Sequence, residues 1–121
     1  MIGLSIRFNN WSTNIFQQLF LDIDYSDWFF KINYWESYGD EFENINHTIT
    51  SDFFKKNIIN NKRSIYPEFC ELFISYKKNI KQECSTYKDF LNSKYYMALN
   101  IIDHRNIEIC CKDDELLQKI I

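Results

Sequence analysis

Four cysteines, two histidines and a surplus of carboxylates are the groups in this 121-residue chain whose types could do chemistry. Cysteine catalysis needs a thiolate and a base within reach of it. His104 is the histidine nearer to a cysteine pair, Cys110-Cys111, but across a hairpin turn that spacing leaves the imidazole several residues along the ladder from either thiol. The reading is a solvated turn histidine with structural cysteines, and no catalytic residue is assigned. Zinc sites take four N or S ligands, mostly in pairs two to four residues apart. Adjacent Cys110 and Cys111 are too tight for that, and Cys70, Cys84 and His104 would have to converge from separate places. No metal and no cofactor are expected. Carboxylates pair at Asp22/Asp24, Asp40/Glu41/Glu43 and Asp113/Asp114/Glu115. The first two groups read as turns, where Asp is favoured, and the third as the start of a helix. With two glycines in the whole chain there is neither a phosphate-cradling loop nor a nucleophile elbow.

The elements that would position these groups are α+β in type. Ile2, Leu4, Ile6 and Phe8 alternate with Gly3, Ser5 and Arg7, a half-buried strand. Asn10 or Ser12 caps a helix through about Asp22, with Trp11, Ile15, Phe16, Leu19 and Phe20 as its apolar stripe. Residues 27–38 form an aromatic strand that puts Trp28, Phe30, Ile32 and Tyr34 on one face and Phe29, Lys31, Asn33 and Trp35 on the other. Gly39 and Asp40 then mark a turn. Ile45, His47 and Ile49 suggest a short strand, and Thr50 or Ser51 caps a short helix with Phe53, Phe54 and Ile58. A strand over residues 69–76 points Cys70, Leu72, Ile74 and Tyr76 one way.

The last third is the most regular. Thr86-x-x-Asp89 fits a capping box, with Tyr87, Phe90 and Leu91 as the buried face of its helix. Strands over 95–102 and 107–112 flank Asp103-His104-Arg105-Asn106 as a hairpin turn. Asp113 caps a terminal helix with Leu116, Leu117, Ile120 and Ile121 on its apolar side. Residues 1–121 thus read as a single α+β domain. It has a mainly antiparallel sheet, two to four helices, and a C-terminal β-hairpin followed by a terminal helix.

The stretch Tyr87-x-x-Phe90-Leu91-x-Ser93, the turn at Asp103, the run Ile109-x-Cys111-Lys112-Asp113 and the opening Gly3-x-Ser5-x-x-Phe8 resemble a family of small uncharacterised proteins from low-GC Gram-positive bacteria, a domain of unknown function. The matched positions are mostly structural types, and the resemblance brings no activity and no site residues with it. A surplus of Ile, Asn, Lys and Tyr with few Ala fits an AT-rich genome.

Net charge is −3, and its distribution is uneven. Residues 20–52 hold eight acids against one base, a net −7, whereas residues 53–81 hold seven bases against two acids, a net +5. Overall acidity argues against nucleic acid as a partner. No stretch is long and apolar enough for a membrane span, and the alternating N-terminus is unlike a signal peptide, so a cytoplasmic location is expected. In that compartment the cysteines stay free, and the sequons at Asn10 and Asn46 are chance matches.

Aromatics make up 18% of the chain, and the strand from Trp28 to Tyr38 carries more large rings than one buried face needs. The expected function is a non-enzymatic cytosolic protein-binding module: an immunity protein, an antitoxin-like inhibitor or a phage–host defence factor. The alternative is a small-molecule-binding protein or enzyme with an aromatic-lined pocket. A flat exposed patch of rings would favour the first, a deep apolar pocket the second. The expected contact surface is the end of the aromatic strand, with Trp35 and Tyr38 partly exposed beside Glu36, Asp40 and Glu41. Its partner would be a basic protein or a second copy of the chain.

Overall fold

The computed structural model describes residues 2–7, 15–37, 48–60, 67–78, 80, 83–102 and 106–120. Six strands form one sheet: β1 (Ile2–Arg7), β2 (Phe29–Ser37), β3 (Thr48–Thr50), β4 (Pro67–Ser75), β5 (Met97–Ile102) and β6 (Asn106–Cys111). Their order is β1-β6-β5-β4-β2-β3, and every pairing is antiparallel. The N-terminal strand therefore closes one edge, against the C-terminal hairpin. Four helices accompany the sheet among the described residues: α1 (Ile15–Leu19), α2 (Ser51–Phe54), α3 (Tyr87–Leu91) and α4 (Asp114–Ile120). The expected α+β domain, with its C-terminal hairpin and terminal helix, is the observed one.

Local chemistry explains where the helices begin. Thr50 accepts the Phe53 amide at 3.2 Å and starts α2. That helix runs on as a π-helical turn, Lys55–Ile59, closed by Asn60 N–H to the Lys55 carbonyl at 2.8 Å. At α3, Thr86 accepts the Asp89 amide at 3.1 Å, and the Asp89 carboxylate accepts the Thr86 and Ser85 amides, a complete capping box. Asp113 accepts the Glu115 amide at 2.9 Å and the Leu116 amide at 3.4 Å, opening α4.

The principal core lies on the face of the sheet covered by α1, α2 with its π-turn, and α4. Phe30, Ile32, Leu72, Ile74, Met97, Leu99, Ile107 and Ile109 point into it, and Phe16, Leu19, Phe54, Ile58, Leu117 and Ile120 close over them. Rings dominate its centre. Phe30 and Phe54 stack at 4.0 Å between centroids, and Phe16 meets Phe54 edge-on at 5.7 Å. Such pairs add about 0.5–1.5 kcal/mol each beyond area burial. A smaller cluster of Phe73, Phe90, Tyr95 and Ala98 sits on the other face, under α3.

One strand departs from simple alternation. β2 faces β4 in register from Phe29 to Ile32, then slips by one: Ile32 lies opposite Leu72, Tyr34 opposite Glu71, and Trp35 opposite Cys70. Asn33 is the extra residue of a β-bulge, and beyond it the faces exchange. Tyr34, expected inward, is 48% exposed; Trp35, expected partly exposed, is 6% exposed and stacks on Phe16 at 5.7 Å. The contact role expected of Trp35 is corrected accordingly: its indole belongs to the core. Two other expectations are also corrected. Tyr76 lies beyond the end of β4 and is exposed, and on α3 only Phe90 is buried, with Tyr87 and Leu91 outward. A five-residue helix has one residue that can point straight at the sheet.

Expectations for Phe8, Asn10, Trp11, Ser12, Gly39, Ile45, His47, His104 and Ile121 lie outside the described residues. Cys110 and Cys111 fall on opposite faces, as strand alternation requires.

Burial of Trp35 through the bulge predicts that Trp35→Ala loses about 3–5 kcal/mol in urea unfolding. Tyr34→Ala should lose under about 1 kcal/mol. Equal losses, or the reverse order, would contradict the bulged register. Leu117→Ala should lose about 2–4 kcal/mol.

Candidate functional site

Cross-strand register builds rows across the second face of the sheet. One row runs Ser5, Glu108, Asn100, Glu71 and Tyr34 over strands β1, β6, β5, β4 and β2. The next row toward the far end holds Asn106 opposite Ile102, and Phe69 opposite Glu36. Ser5, Glu108, Tyr34, Glu36, Phe69, Ile102 and Asn106 are exposed, and Asn100 and Glu71 are half-buried. This part of the face therefore carries side chains turned to solvent, three of them large and apolar: Tyr34, Phe69 and Ile102.

The carboxylates on this face are held. Asn33 donates through Nδ2 to Glu71 Oε1 at 2.9 Å, so the bulge residue itself orients that acid. The Tyr34 hydroxyl donates to Glu36 Oε2 at 2.7 Å. Glu71 and Glu108 flank Asn100, each one strand away. Strands lie about 4.8 Å apart, which places the two acid backbones about 10 Å from one another.

Beside this row lies a groove of about 350 Å³. Its floor is apolar, made by Phe73, Ala98 and Phe90; Glu71, Asn100 and Glu108 form one rim, and Thr86 and Tyr87 at the start of α3 form the other. A long cationic side chain suits such a groove, its stem on the floor and its charge between the two glutamates.

The covered end of this face is closed by Tyr95. Its hydroxyl donates to the Ile80 carbonyl at 3.4 Å, its ring stacks on Phe73 at 4.9 Å, and the Lys31 ammonium lies 6.0 Å from the ring centre. Next to it, the Lys112 ammonium donates to the Ser93 carbonyl at 2.6 Å and lies 5.0 Å from the Phe90 ring centre. Burial lowers the Lys112 pKa from its usual value.

No group of three or more His, Cys, Asp or Glu among the described residues could hold a metal ion. All four cysteines are free. Burial raises the thiol pKa of Cys70, Cys110 and Cys111, the opposite of what a nucleophilic thiolate requires. The motif residues shared by the two ends of the last third are structural. Ser93 Oγ donates to the Phe90 carbonyl at 2.6 Å, its own carbonyl takes Lys112, and Asp113 caps α4 while accepting the Tyr96 hydroxyl at 2.6 Å.

Of the expected contact residues, Glu36 is exposed on this face, Trp35 is buried on the other, and Tyr38, Asp40 and Glu41 lie outside the described residues. Phe69, Glu71, Asn100, Ile102 and Glu108 were not anticipated. They come from three strands and meet only through register.

Burial, with a smaller contribution from Cys84, pushes the Tyr95 phenol up to about 12. An unfolded tyrosine titrates near about 10. Between those values the unfolded chain has released a proton that the folded chain keeps, so stability falls as pH rises. Tyr95→Phe should flatten the decline in urea midpoint between about pH 10 and about pH 12. Parallel profiles for the two proteins would show that Tyr95 does not carry it. Tyr96, also raised by burial and by its bond to Asp113, leaves part of the slope in place.

No helix among the described residues is long and apolar enough to cross a membrane. No curated protein and no solved structure matches the chain. A family model described as "Protein of unknown function (DUF2691)" matches residues 1–121, and the chain belongs to that family.

Proposed function

We propose that this protein is a non-enzymatic protein-binding module that docks a basic protein surface on the solvent-facing part of its sheet. The observation that carries this reading is the placement of Tyr34, Phe69 and Ile102 beside Glu36, Glu71 and Glu108 on one face, next to a groove with an apolar floor. Rings and an aliphatic side chain supply the desolvated contact area that binding hot spots need. The carboxylates supply steering and select against acidic partners. The groove, with an apolar floor of Phe73, Ala98 and Phe90 under a rim that carries Glu71 and Glu108, fits an anchoring cationic side chain, which favours the protein-binding reading.

The acidic sign of the face also chooses between partners. A second copy would bring Glu71 and Glu108 against their own counterparts, and like charges across an interface cost affinity. A basic partner is therefore favoured over self-association, in the manner of an inhibitor that covers a cationic active or nucleic-acid-binding surface. Four free cysteines fit a reducing cytoplasm, and the AT-rich residue usage fits a low-GC bacterial host.

The test is affinity capture from the cytosol of the native host, comparing the wild-type chain with the double variant Glu71→Lys/Glu108→Lys and with Asp52→Lys as an exposed control on α2. The expected result is a basic protein held by the wild type and the control, lost by the double variant, and released by added salt. Phe69→Ala should weaken the same complex by more than about 1 kcal/mol. Retention by the double variant at wild-type affinity would refute the proposed face.

A further inference from the structure

A second cleft lies on the helix-covered side of the sheet, where β4 ends and β5 begins. Its volume is about 180 Å³, and Trp28, Tyr76 and Tyr96 supply three of its walls. The rings are inclined to one another: Tyr76 and Tyr96 at 61° with centroids 5.0 Å apart, Trp28 and Tyr96 at 55° and 6.4 Å. Trp28 is 4% exposed and Tyr76 is 53% exposed, so the indole lies deep and the Tyr76 phenol stands at the rim.

Asp24, Asp113, Glu115 and Lys119 complete the charged lining, three carboxylates against one ammonium. Two of the carboxylates are fixed. The Ser26 amide donates to Asp24 Oδ1 at 3.0 Å, and Asp113 is held from both sides, by the amides that open α4 and by the Tyr96 hydroxyl. These bonds keep both acids below their ordinary pKa, and so ionised at neutral pH. The Tyr96 hydroxyl is already donated to Asp113, which leaves its ring, not its O–H, to meet a ligand.

We infer that this cleft binds a small quaternary ammonium compound, with Tyr76 and Tyr96 against the cationic head, the Trp28 indole beneath them at the base of the cleft, and Asp24, Asp113 and Glu115 supplying the counter-charge. The chemistry follows from the lining. Aromatic faces attract a cation through their quadrupoles, and a methylated head offers apolar surface to the rings without N–H donors that need acceptors. The volume suits one such head group and is below the range of about 300–1,000 Å³ used by drug-sized ligands. Three carboxylates near the head repel an adjacent phosphate, so a free cationic alcohol such as choline is favoured over phosphocholine and over a phosphocholine membrane surface.

The experiment is a proton–nitrogen NMR titration of the whole chain with choline chloride, in parallel with phosphocholine and with 3,3-dimethylbutan-1-ol, the uncharged isostere of choline. Vesicles of phosphatidylcholine are tested by cosedimentation. Choline is expected to give saturable shifts centred on the Trp28 indole and the Tyr76 and Tyr96 amides. The isostere and phosphocholine should bind at least about fivefold more weakly, and the vesicles should not retain the protein. Tyr76→Leu, at an exposed rim position, should keep the folded spectrum and weaken choline about fivefold. Equal binding of choline and its neutral isostere, undiminished binding by the Tyr76 variant, or the absence of saturable shifts would overturn the inference.

Discussion

An extra residue in the central aromatic strand determines what each face of this sheet is. Up to Ile32, alternation sends Phe30 and Ile32 into the principal core; at Asn33 the strand gains a residue against β4, and from there Trp35 takes the inward position opposite Cys70. Without that step Trp35 would stand on the solvent face, and Tyr34 would be driven toward the rings of α1. The bulge places a large indole against Phe16 and frees Tyr34 to lie beside Glu71, while Asn33 orients the same glutamate. One irregularity thus completes the core and assembles part of the proposed docking face.

The aromatic surplus is accounted for by the same arrangement. Phe16, Phe20, Tyr25, Trp28, Phe30 and Phe54 form a continuous set of ring contacts between the sheet and its helices, with centroid distances from 4.0 to 6.4 Å. Short helices contribute few apolar residues each, and α1 and α2 have five and four residues. Large rings let such short elements fill the volume over a wide sheet. Among the described residues most of the rings are therefore structural, and those that face solvent are a minority with identifiable places: Tyr34 and Phe69 on the sheet, Phe53 on α2, Tyr87 on α3, Tyr76 at the cleft rim.

The parts of the fold that local signals control were legible in the sequence. The capping box at Thr86, the Asp113 cap, the hairpin and the cap at Thr50 each depend on residues within a few positions of one another, and each forms, the hairpin with Asn106 paired to Ile102 as the first residue of β6 and not in the turn. The faces of β2 were misread because a bulge leaves no mark that distinguishes Asn33 from its neighbours; it is dictated by the partner strand, whose Leu72 and Cys70 both point inward. The candidate site was hidden for a related reason. Glu71 lies in a stretch of the chain with net positive charge, and Glu108 lies in the hairpin, yet register sets them on either side of Asn100. Linear charge segments do not predict the charge of a sheet face, because a row across strands samples the chain at widely separated points.

The proposed docking face depends on the side of the sheet to which Trp35 points. Side-chain nuclear Overhauser contacts in the isotope-labelled protein test this most directly. Contacts between the Trp35 indole and the Phe16 ring, with the Tyr34 ring touching Glu36 and Glu71, are predicted by the bulged register. Contacts between the Trp35 indole and Asn100 or Phe69, with Tyr34 against Phe16, would contradict it and remove the basis for the proposed docking face.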